Sequence, residues 1–519
     1  MKKVILIIID ALASRVVQPA LQKGLLPHFQ QLVERGVLCQ ECTSIFPSIT
    51  PAATCALATG TYPFEHGISG AYWYDRDHDE IAYFGSDLPA IMNEGMGRYI
   101  NDFQIKLNRD RLLVPTIFEL IEKHGTLSDA VVNFMWYRGT VAHDTSTPLL
   151  LNLTPGVSLE ESMIGPHTMF LGDFVSTPLL GNTLAARGGV TRRFGFHDDT
   201  TADYLLGMAE QDCLPDFTLA YFPNNDFDSH AEGPENAVST LQAVDSHLGK
   251  LIEILGGIDQ FLENHVLLMT GDHSQSDLDE NPAIELNEVL AKFQIAEAGK
   301  PWSSSEELMV CPNMRSAQIY MQPELWARRH DVIDCLLKCP EIDQVIWCDH
   351  DSGLNGTDRP SFYVHTHERG DLVFKPAPDS TGDALDIYGT AWIWKGELSA
   401  VDASISSNGQ IEFGDYPNAF ERIATGFSEK TGNIWVTARL GKEFCIPAIK
   451  CNPAGSHGSL HHLDSTAPLI AAGLPDDFQL PDAPRIIDIT PVCLQLLGLK
   501  PPRMPGESAI NKPLNDRHS

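Results

Sequence analysis

Val4-Ile-Leu-Ile-Ile-Ile-Asp10 is an apolar, largely β-branched run closed by an acid. A strand with one wet face would alternate polar and apolar residues. A run apolar at every position suits a strand buried on both faces, as in a parallel sheet. The aspartate then falls at the carboxyl edge of that sheet, where open α/β sheets bind their ligands. Met1-Lys2-Lys3 ahead of it has the outline of a signal peptide. Asp10, however, ends the run short of the roughly 7–15 apolar residues such a leader needs.

Outward from this strand, strand and helix signals alternate. Pro27 opens an amphipathic segment to Arg35, with Phe29, Leu32 and Val33 at helical spacing and Gly36 as its stop. Residues 130–134 and Phe217–Phe222 are short apolar runs suited to central strands. From Pro234 to Leu255 the positions Ala237, Leu241, Val244, Leu248, Leu251, Ile252 and Leu255 trace one helix face, ended by Gly256 and Gly257. His265–Thr270 is the next strand. The alternation predicts a mainly parallel sheet with helices on both faces, a three-layer α/β/α sandwich.

After about Glu280 the texture changes. A helical stretch leads to a strand at 317–321 and a helix at 323–337. Residues 342–425 are turn-rich with short β-like runs, such as Ser361–His365 and 391–394. Residues 281–430 are therefore read as an inserted α+β cap, and 1–280 with 431–519 as the core. The chain returns to that core through strands at 433–438 and 468–472 and a last helix opening at Thr490-Pro491. No internal repeat or low-complexity tract is present.

Composition narrows the function classes. The 519 residues are 43% hydrophobic and 20% charged, which calls for a large core rather than disorder. Lys and Arg number 36 against 69 Asp and Glu, a net charge of −33. Such a surface repels nucleic-acid polymers and anionic membranes, so neither is expected as a partner. A phosphate-handling site on it needs its own local positive charge, for which bound metal ions are the obvious source. The eleven cysteines are odd in number and scattered, which argues against a disulfide framework and for a reducing, cytoplasmic setting. Cys39-Gln-Glu-Cys42 and the Cys335/Cys339 pair lack the second half of a zinc-finger pattern and are read as packing residues. No run reaches the roughly 18 apolar residues of a membrane span. Asn152-Leu-Thr154 and Asn355-Gly-Thr357 fit the glycosylation pattern, which means little without a secretory signal. Oligomeric state is not legible.

The chemistry-bearing residues sit where a parallel sheet presents its strand ends. Asp10 closes the first strand. Asp226 and His230 follow the strand ending at Phe222, and Asp272 and His273 follow the one ending at Thr270. His457 lies in Gly455-Ser-His-Gly458. Carboxylate and imidazole together suit a divalent ion, zinc first and manganese second. Asp226 and His230 are one helical turn apart and can aim at one ion. Thr50 precedes Pro51, which favours a first helical turn and places Thr50 at the N-cap. Its hydroxyl is either a simple cap or a nucleophile. In the second case a metal must lower its acidity.

Together these residues resemble the nucleotide pyrophosphatase/phosphodiesterase branch of the alkaline phosphatase superfamily. The segment from Phe46 through Gly60-Thr-Tyr-Pro-Phe-Glu-His-Gly-Ile68 is similar to that family's nucleophile segment, with Thr50 on its catalytic threonine. Asn225-Asp226-Phe-Asp-Ser-His230-Ala-Glu-Gly-Pro234, Gly271-Asp272-His273 and Ser456-His457-Gly458 resemble its metal-ligand motifs. The resemblance implies an alkaline-phosphatase-like fold and two metal ions. One would be held by Asp226, His230 and His457. Asp10, Asp272 and His273 would hold the other, with Thr50 beside it. It further implies a small phosphate ester as substrate and a phosphothreonine intermediate that water hydrolyses. Asp228 is read as a neighbour rather than a ligand. Where many relatives carry an asparagine three residues after the nucleophile, this chain has Ala53. Thr54, Asn133 and Arg138 are the candidates to contact the phosphoryl group in its place. Tyr72, Trp73 and Tyr74 could stack on a base or simply pack in the core.

Rival functions leave marks of their own. A sulfatase needs Cys-x-Pro-x-Arg or its serine counterpart, and Cys55 is followed by Ala-Leu-Ala-Thr. A cofactor-independent phosphomutase of this superfamily normally uses serine. A Gly-x-Ser-x-Gly elbow is absent. A phosphonate hydrolase resembling phosphonoacetate hydrolase shares the threonine and metal set and stays open, as does a phosphomonoesterase. A catalytically silent metal-binding scaffold is the reading from another class.

Overall fold

The computed structural model describes residues 2–85, 87, 90–92, 101–146, 162–180, 188–298, 300, 302–349, 360–377 and 382–510. Both glycosylation-pattern asparagines, Asn152 and Asn355, lie outside them.

Lys3–Ile9 forms the middle of the core sheet, parallel to Phe217–Phe222 on one side and His265–Thr270 on the other. Asp129–Val132 and Thr168–Leu171 extend the parallel run beyond Phe217–Phe222. Beyond His265–Thr270, Thr466–Ala472 runs antiparallel, and Gly36–Thr43 pairs antiparallel with it at the edge. Because Lys3–Ile9 is central, its side chains enter two cores. Val4, Leu6 and Ile8 pack with helices Thr50–Thr59, Ile117–Glu122 and Ile486–Leu496. Ile5, Ile7 and Ile9 pack with helices Ser14–Gln22, Pro27–Glu34, Asp198–Glu210 and Val238–Ile254. Each fully buried side chain of this kind stabilises the fold by about 1.5–3 kcal/mol relative to exposure. The result is the three-layer sandwich the apolar run predicts.

A second, antiparallel sheet holds Leu308–Asn313, Ser316–Met321, Ile434–Ala438, Ile342–Asp349, Ser361–His365, Asp371–Pro376, Ala391–Gly396 and Ala384–Leu385, in that order. The strand expected to rejoin the core at 433–438 therefore lies in this sheet, between Ser316–Met321 and Ile342–Asp349. Its five residues are all buried, and local pattern reports a buried strand without saying which sheet receives it.

Two helix boundaries also differ from expectation. The segment 323–337 breaks into Pro323–Trp326 and Arg329–Leu336. The last helix starts at Ile486, before Thr490-Pro491, because the Asp488 carboxylate accepts the Arg485 backbone N–H there. Pro491 sits inside the helix, where it strips the Ile487 carbonyl of its intrahelical donor. Arg503 Nη2 donates to that oxygen at 3.0 Å instead. All eleven cysteines are free thiols, and a bulge separates Cys39 from Cys42. Among the described residues, no helix is long and apolar enough to cross a membrane.

Candidate metal centre and nucleophile

Strand register brings the acidic residues level. Ile8 pairs with Tyr221 on one side and Thr270 on the other. Asp10 and Asp272 each lie two residues further on, at the same height beyond the sheet. There the chain turns sharply. Ala11 is in the left-handed region (φ 54°), and its N–H donates to Asp272 Oδ1 at 3.2 Å. Helix Asn224–Glu232 starts at the same level and presents Asp226 in its first turn and His230 a turn later. Asn225 Nδ2 donates to the carbonyls of Asp10 and Ala11, fixing that helix against the first strand. His457 arrives on a loop whose next residue, Gly458, has φ 113°. A Cβ there would stand 2.7 Å from the Asn313 carbonyl oxygen.

The three histidines are oriented alike. Nδ1 of His230 lies 2.8 Å from the Gly455 carbonyl, that of His273 3.0 Å from Ser274 and that of His457 2.8 Å from Ser48. A carbonyl oxygen only accepts, so each Nδ1 carries the proton and each Nε2 offers a lone pair inward. His230 Nε2 and His457 Nε2 stand 3.3 and 3.6 Å from Asp226 Oδ1. His273 Nε2 stands 3.3 Å from Asp272 Oδ2, 3.7 Å from Asp10 Oδ1 and 3.0 Å from Thr50 Oγ1. Ligands about 2.0–2.1 Å from a tetrahedral zinc are about 3.3 Å apart, so these separations fit a shared ion. Asp10 Oδ1, Asp272 Oδ2, His230 Nε2 and His457 Nε2 are buried without a hydrogen-bond partner. Unpaired buried polar atoms are costly, and four converging on one spot mark a place for cations. Asp226, His273 and His457, and Asp10, Asp272 and His273, each bring three ligand atoms within 4.8 Å of one another, a donor set that fits divalent cations.

Residues 4–368, 365 of the chain's 519, match the family described as type I phosphodiesterase / nucleotide pyrophosphatase. The chain belongs to this family. Bovine (Bos taurus) bis(5'-adenosyl)-triphosphatase ENPP4 is 22% identical over 272 residues, covering 51% of this chain and 47% of that protein. The match thus spans about half the length of that relative. Two structures of murine ectonucleotide pyrophosphatase/phosphodiesterase 5, one an inactive threonine-to-alanine variant with AMP, superpose with a TM-score of 0.55. Sequence identity is 14%, with 97% of each chain covered. The architecture is the alkaline-phosphatase-like α/β fold of that protein.

In this phosphodiesterase-family chain, electrostatics reinforce the geometry. Burial, then the neighbouring Asp272 and Asp226 carboxylates, hold Asp10 well above the usual carboxylate range. Burial raises Asp272 too. Burial also opposes ionisation of Asp226, but His230, by its charge and hydrogen bond, outweighs it and holds that acid below its ordinary value. Burial, then His273, push His457 far below the usual imidazole range, leaving it neutral and able to donate its lone pair. No lysine or arginine bonds these carboxylates among the described residues, so the compensating charge has to come from elsewhere.

Thr50 is half-buried and is the first residue of helix Thr50–Thr59, one position past the expected N-cap, which is Ile49. Its hydroxyl caps nothing and faces His273. The three expected phosphoryl contacts do not reach this centre. Thr54 Oγ1 bonds the Thr50 carbonyl and accepts from Trp136 Nε1. Asn133 donates to the Gly195 carbonyl and Thr201 and accepts from Gly172 N–H, which occupies its amide. The Arg138 guanidinium bonds Glu119 and the carbonyls of Asn108, Leu112 and Val114. It staples a loop. Replacing it, Arg138→Met, is expected to cost about 2–3 kcal/mol of stability through the orphaned carbonyls, read as a lower denaturant midpoint. A rise in KM at unchanged stability would contradict that assignment.

Ala53 is fully buried in the apolar core, so the helix position three past Thr50 does not face the cleft. The missing asparagine leaves no gap there. Tyr72 and Trp73 are buried, and Tyr74 packs edge-on against Trp302 and Tyr320, so none offers a free stacking face. Asp228 accepts from Thr240 Oγ1 and ligates nothing. Three supports escaped the sequence reading. The Tyr221 hydroxyl donates to Asp10, Gln275 Nε2 donates to Asp226 Oδ1 at 3.1 Å, and Ser44 Oγ donates to the Asp272 carbonyl at 2.6 Å. Gln275 lies two residues past His273, the one sequence cue among them.

Proposed function

We propose that this protein is a two-metal phosphodiesterase of nucleotide-pyrophosphatase type, with Thr50 as nucleophile. The observation that carries this reading is the convergence of four unpartnered ligand atoms beside the Thr50 hydroxyl, at the carboxyl end of a parallel sheet. Family membership and the name of the bovine relative support a nucleotide-like diester or pyrophosphate as substrate.

Asp226, His230 and His457 would hold one ion, and Asp10, Asp272 and His273 the other. When bound, the pair supplies Lewis-acid stabilisation of the attacking and leaving oxygens of an in-line displacement. The protein's own part is positional. His273 keeps Thr50 Oγ1 at the centre, and Tyr221 and Gln275 hold the carboxylates in orientation. The Thr50 and Ala52 N–H groups lie in the first turn of their helix, where backbone donors lack intrahelical partners. They suit the non-bridging phosphoryl oxygens. Thr50 Oγ1 bonds phosphorus as the P–O bond to the leaving group breaks. Water then cleaves the phosphothreonine, restoring the hydroxyl. The second sheet is read as the cap that shapes the leaving-group pocket.

The test is a chromogenic phosphodiester together with metal analysis. The purified protein is expected to carry two divalent ions per chain, to lose turnover on chelation and to regain it with zinc. Turnover indifferent to chelation would sink the reading. Nucleotides, diesters, monoesters and phosphonates assayed in parallel rank the substrate classes. A higher kcat/KM for phosphonoacetate than for any diester would move the assignment to a phosphonate hydrolase.

A further inference from the structure

At the opposite end of the core sheet lies a second set of buried carboxylates that the hydrolytic reading does not use. Glu122 is the last residue of helix Ile117–Glu122, Asp129 is the first residue of strand Asp129–Val132, and His167 immediately precedes strand Thr168–Leu171. These are the amino-terminal ends of parallel strands, whereas the candidate catalytic centre sits at their carboxyl ends. The ligand atoms of the three residues lie within 4.8 Å of one another. The Glu122 side chain is 3% exposed and that of Asp129 0%.

Two carboxylates this close and this buried need compensation, and the structure supplies little of it. His167 donates its backbone N–H to Asp129 Oδ1, and its Nδ1 lies 2.6 Å from the same oxygen. That oxygen is satisfied. Asp129 Oδ2 and both oxygens of Glu122 are buried and, among the described residues, have no well-aligned hydrogen-bond donor. Burial, then the charge of Asp129, raises Glu122 against hydrogen bonding from Thr140 and the charge of His167. Glu122 also stands at the C-terminus of its helix, where the backbone dipole disfavours a negative charge. Even with His167 charged, one negative charge remains on the two carboxylates.

The separations indicate what kind of ion belongs here. In the catalytic centre the imidazole nitrogens stand 3.3–3.7 Å from the carboxylate oxygens, the spacing of ligands around a shared ion. Here His167 Nδ1 stands 3.7 Å from Glu122 Oε1 but 2.6 Å from Asp129 Oδ1, a hydrogen bond that keeps the proton on that nitrogen, so His167 orients Asp129 rather than ligating. The free donors are all carboxylate oxygens: a bidentate pair from Glu122 and one from Asp129. Oxygen-only ligation in which a glutamate can bind through both oxygens is calcium's preference over zinc's or magnesium's.

We infer that Glu122 and Asp129 form a calcium site at the amino-terminal edge of the core sheet, with His167 as a positioning residue on Asp129. The ion ties the end of helix Ile117–Glu122 to two adjacent strands. It is a structural site, separate from turnover.

The test uses the full-length, zinc-saturated protein in equilibrium dialysis against radiocalcium, with potassium as background and magnesium as competitor. Wild type is expected to hold one more calcium per chain than Glu122→Gln or Asp129→Asn. Its melting temperature should rise with calcium while that of Glu122→Gln does not. Glu122→Gln keeps the side chain's shape and one oxygen to accept from Thr140, so its folding is expected to survive. If it fails, hydrogen exchange on wild type decides, since calcium should slow exchange across residues 117–132 and 165–171. Equal calcium in wild type and variant overturns the site, as does an absence of protection there. So does an infrared band showing Glu122 protonated at neutral pH with calcium present.

Discussion

Thr50→Ala is expected to lower phosphodiester turnover by about ten-thousand- to million-fold while leaving the metal content at its wild-type value. A nucleophile acting as one unit with its electrostatic surroundings typically costs that much when removed, about 5–8 kcal/mol of transition-state stabilisation. Metal retention should survive because the six carboxylate and imidazole donors remain. Four of their ligand atoms have no alternative partner in the fold. Stability should barely move, since the Thr50 side chain caps no helix end and, among the described residues, hydrogen-bonds only to His273. The pairing of the two measurements is decisive. Lost turnover with intact metals identifies a nucleophile, lost turnover with lost metals a ligand. Residual turnover within tenfold of wild type would remove Thr50 from the chemistry altogether. Acid quench during steady state should trap phosphate on wild type at this threonine and on no residue of the variant.

His457→Ala is the second large effect. It should reduce the bound ions from two to one and turnover by about a thousandfold or more, consistent with loss of a transition-state electrostatic contact. His457 is fully buried, stacked at 3.8 Å on His273, and its Nε2 has no partner other than the space beside Asp226. Removing the ring opens that space, yet Asp10, Asp272 and His273 keep their geometry, so the second ion stays. Excess zinc should partly restore turnover, because Asp226 and His230 still offer two donors. Two ions retained at full affinity would place His457 outside the metal set.

How far the sequence reaches can be traced residue by residue. The strands Phe217–Phe222 and His265–Thr270 coincide with their apolar runs because each is buried on both faces, so the polar flanks mark their ends. The candidate ligands were visible for the same reason: a carboxylate directly after such a run has nowhere to go but the sheet's edge. What stayed hidden depends on contacts between distant segments. Arg138 looks like a phosphate ligand until the carbonyls of Asn108, Leu112 and Val114 are found closing around it. Tyr221 is one more apolar residue in a strand until register turns its hydroxyl towards Asp10. The position of Ala53 was judged by family habit, whereas its helix phase points it into the core.

Ile434–Ala438 also bears on how the chain comes off the ribosome. Ser316–Met321 and Ile342–Asp349 are made roughly a hundred residues before the strand that joins them. Until then each presents an open row of backbone donors and acceptors, the kind of edge that invites pairing between chains. A nascent protein arrested before residue 434 is thus a candidate client for chaperones. A gene truncated there should give an insoluble product, although every candidate ligand except His457 has already been translated.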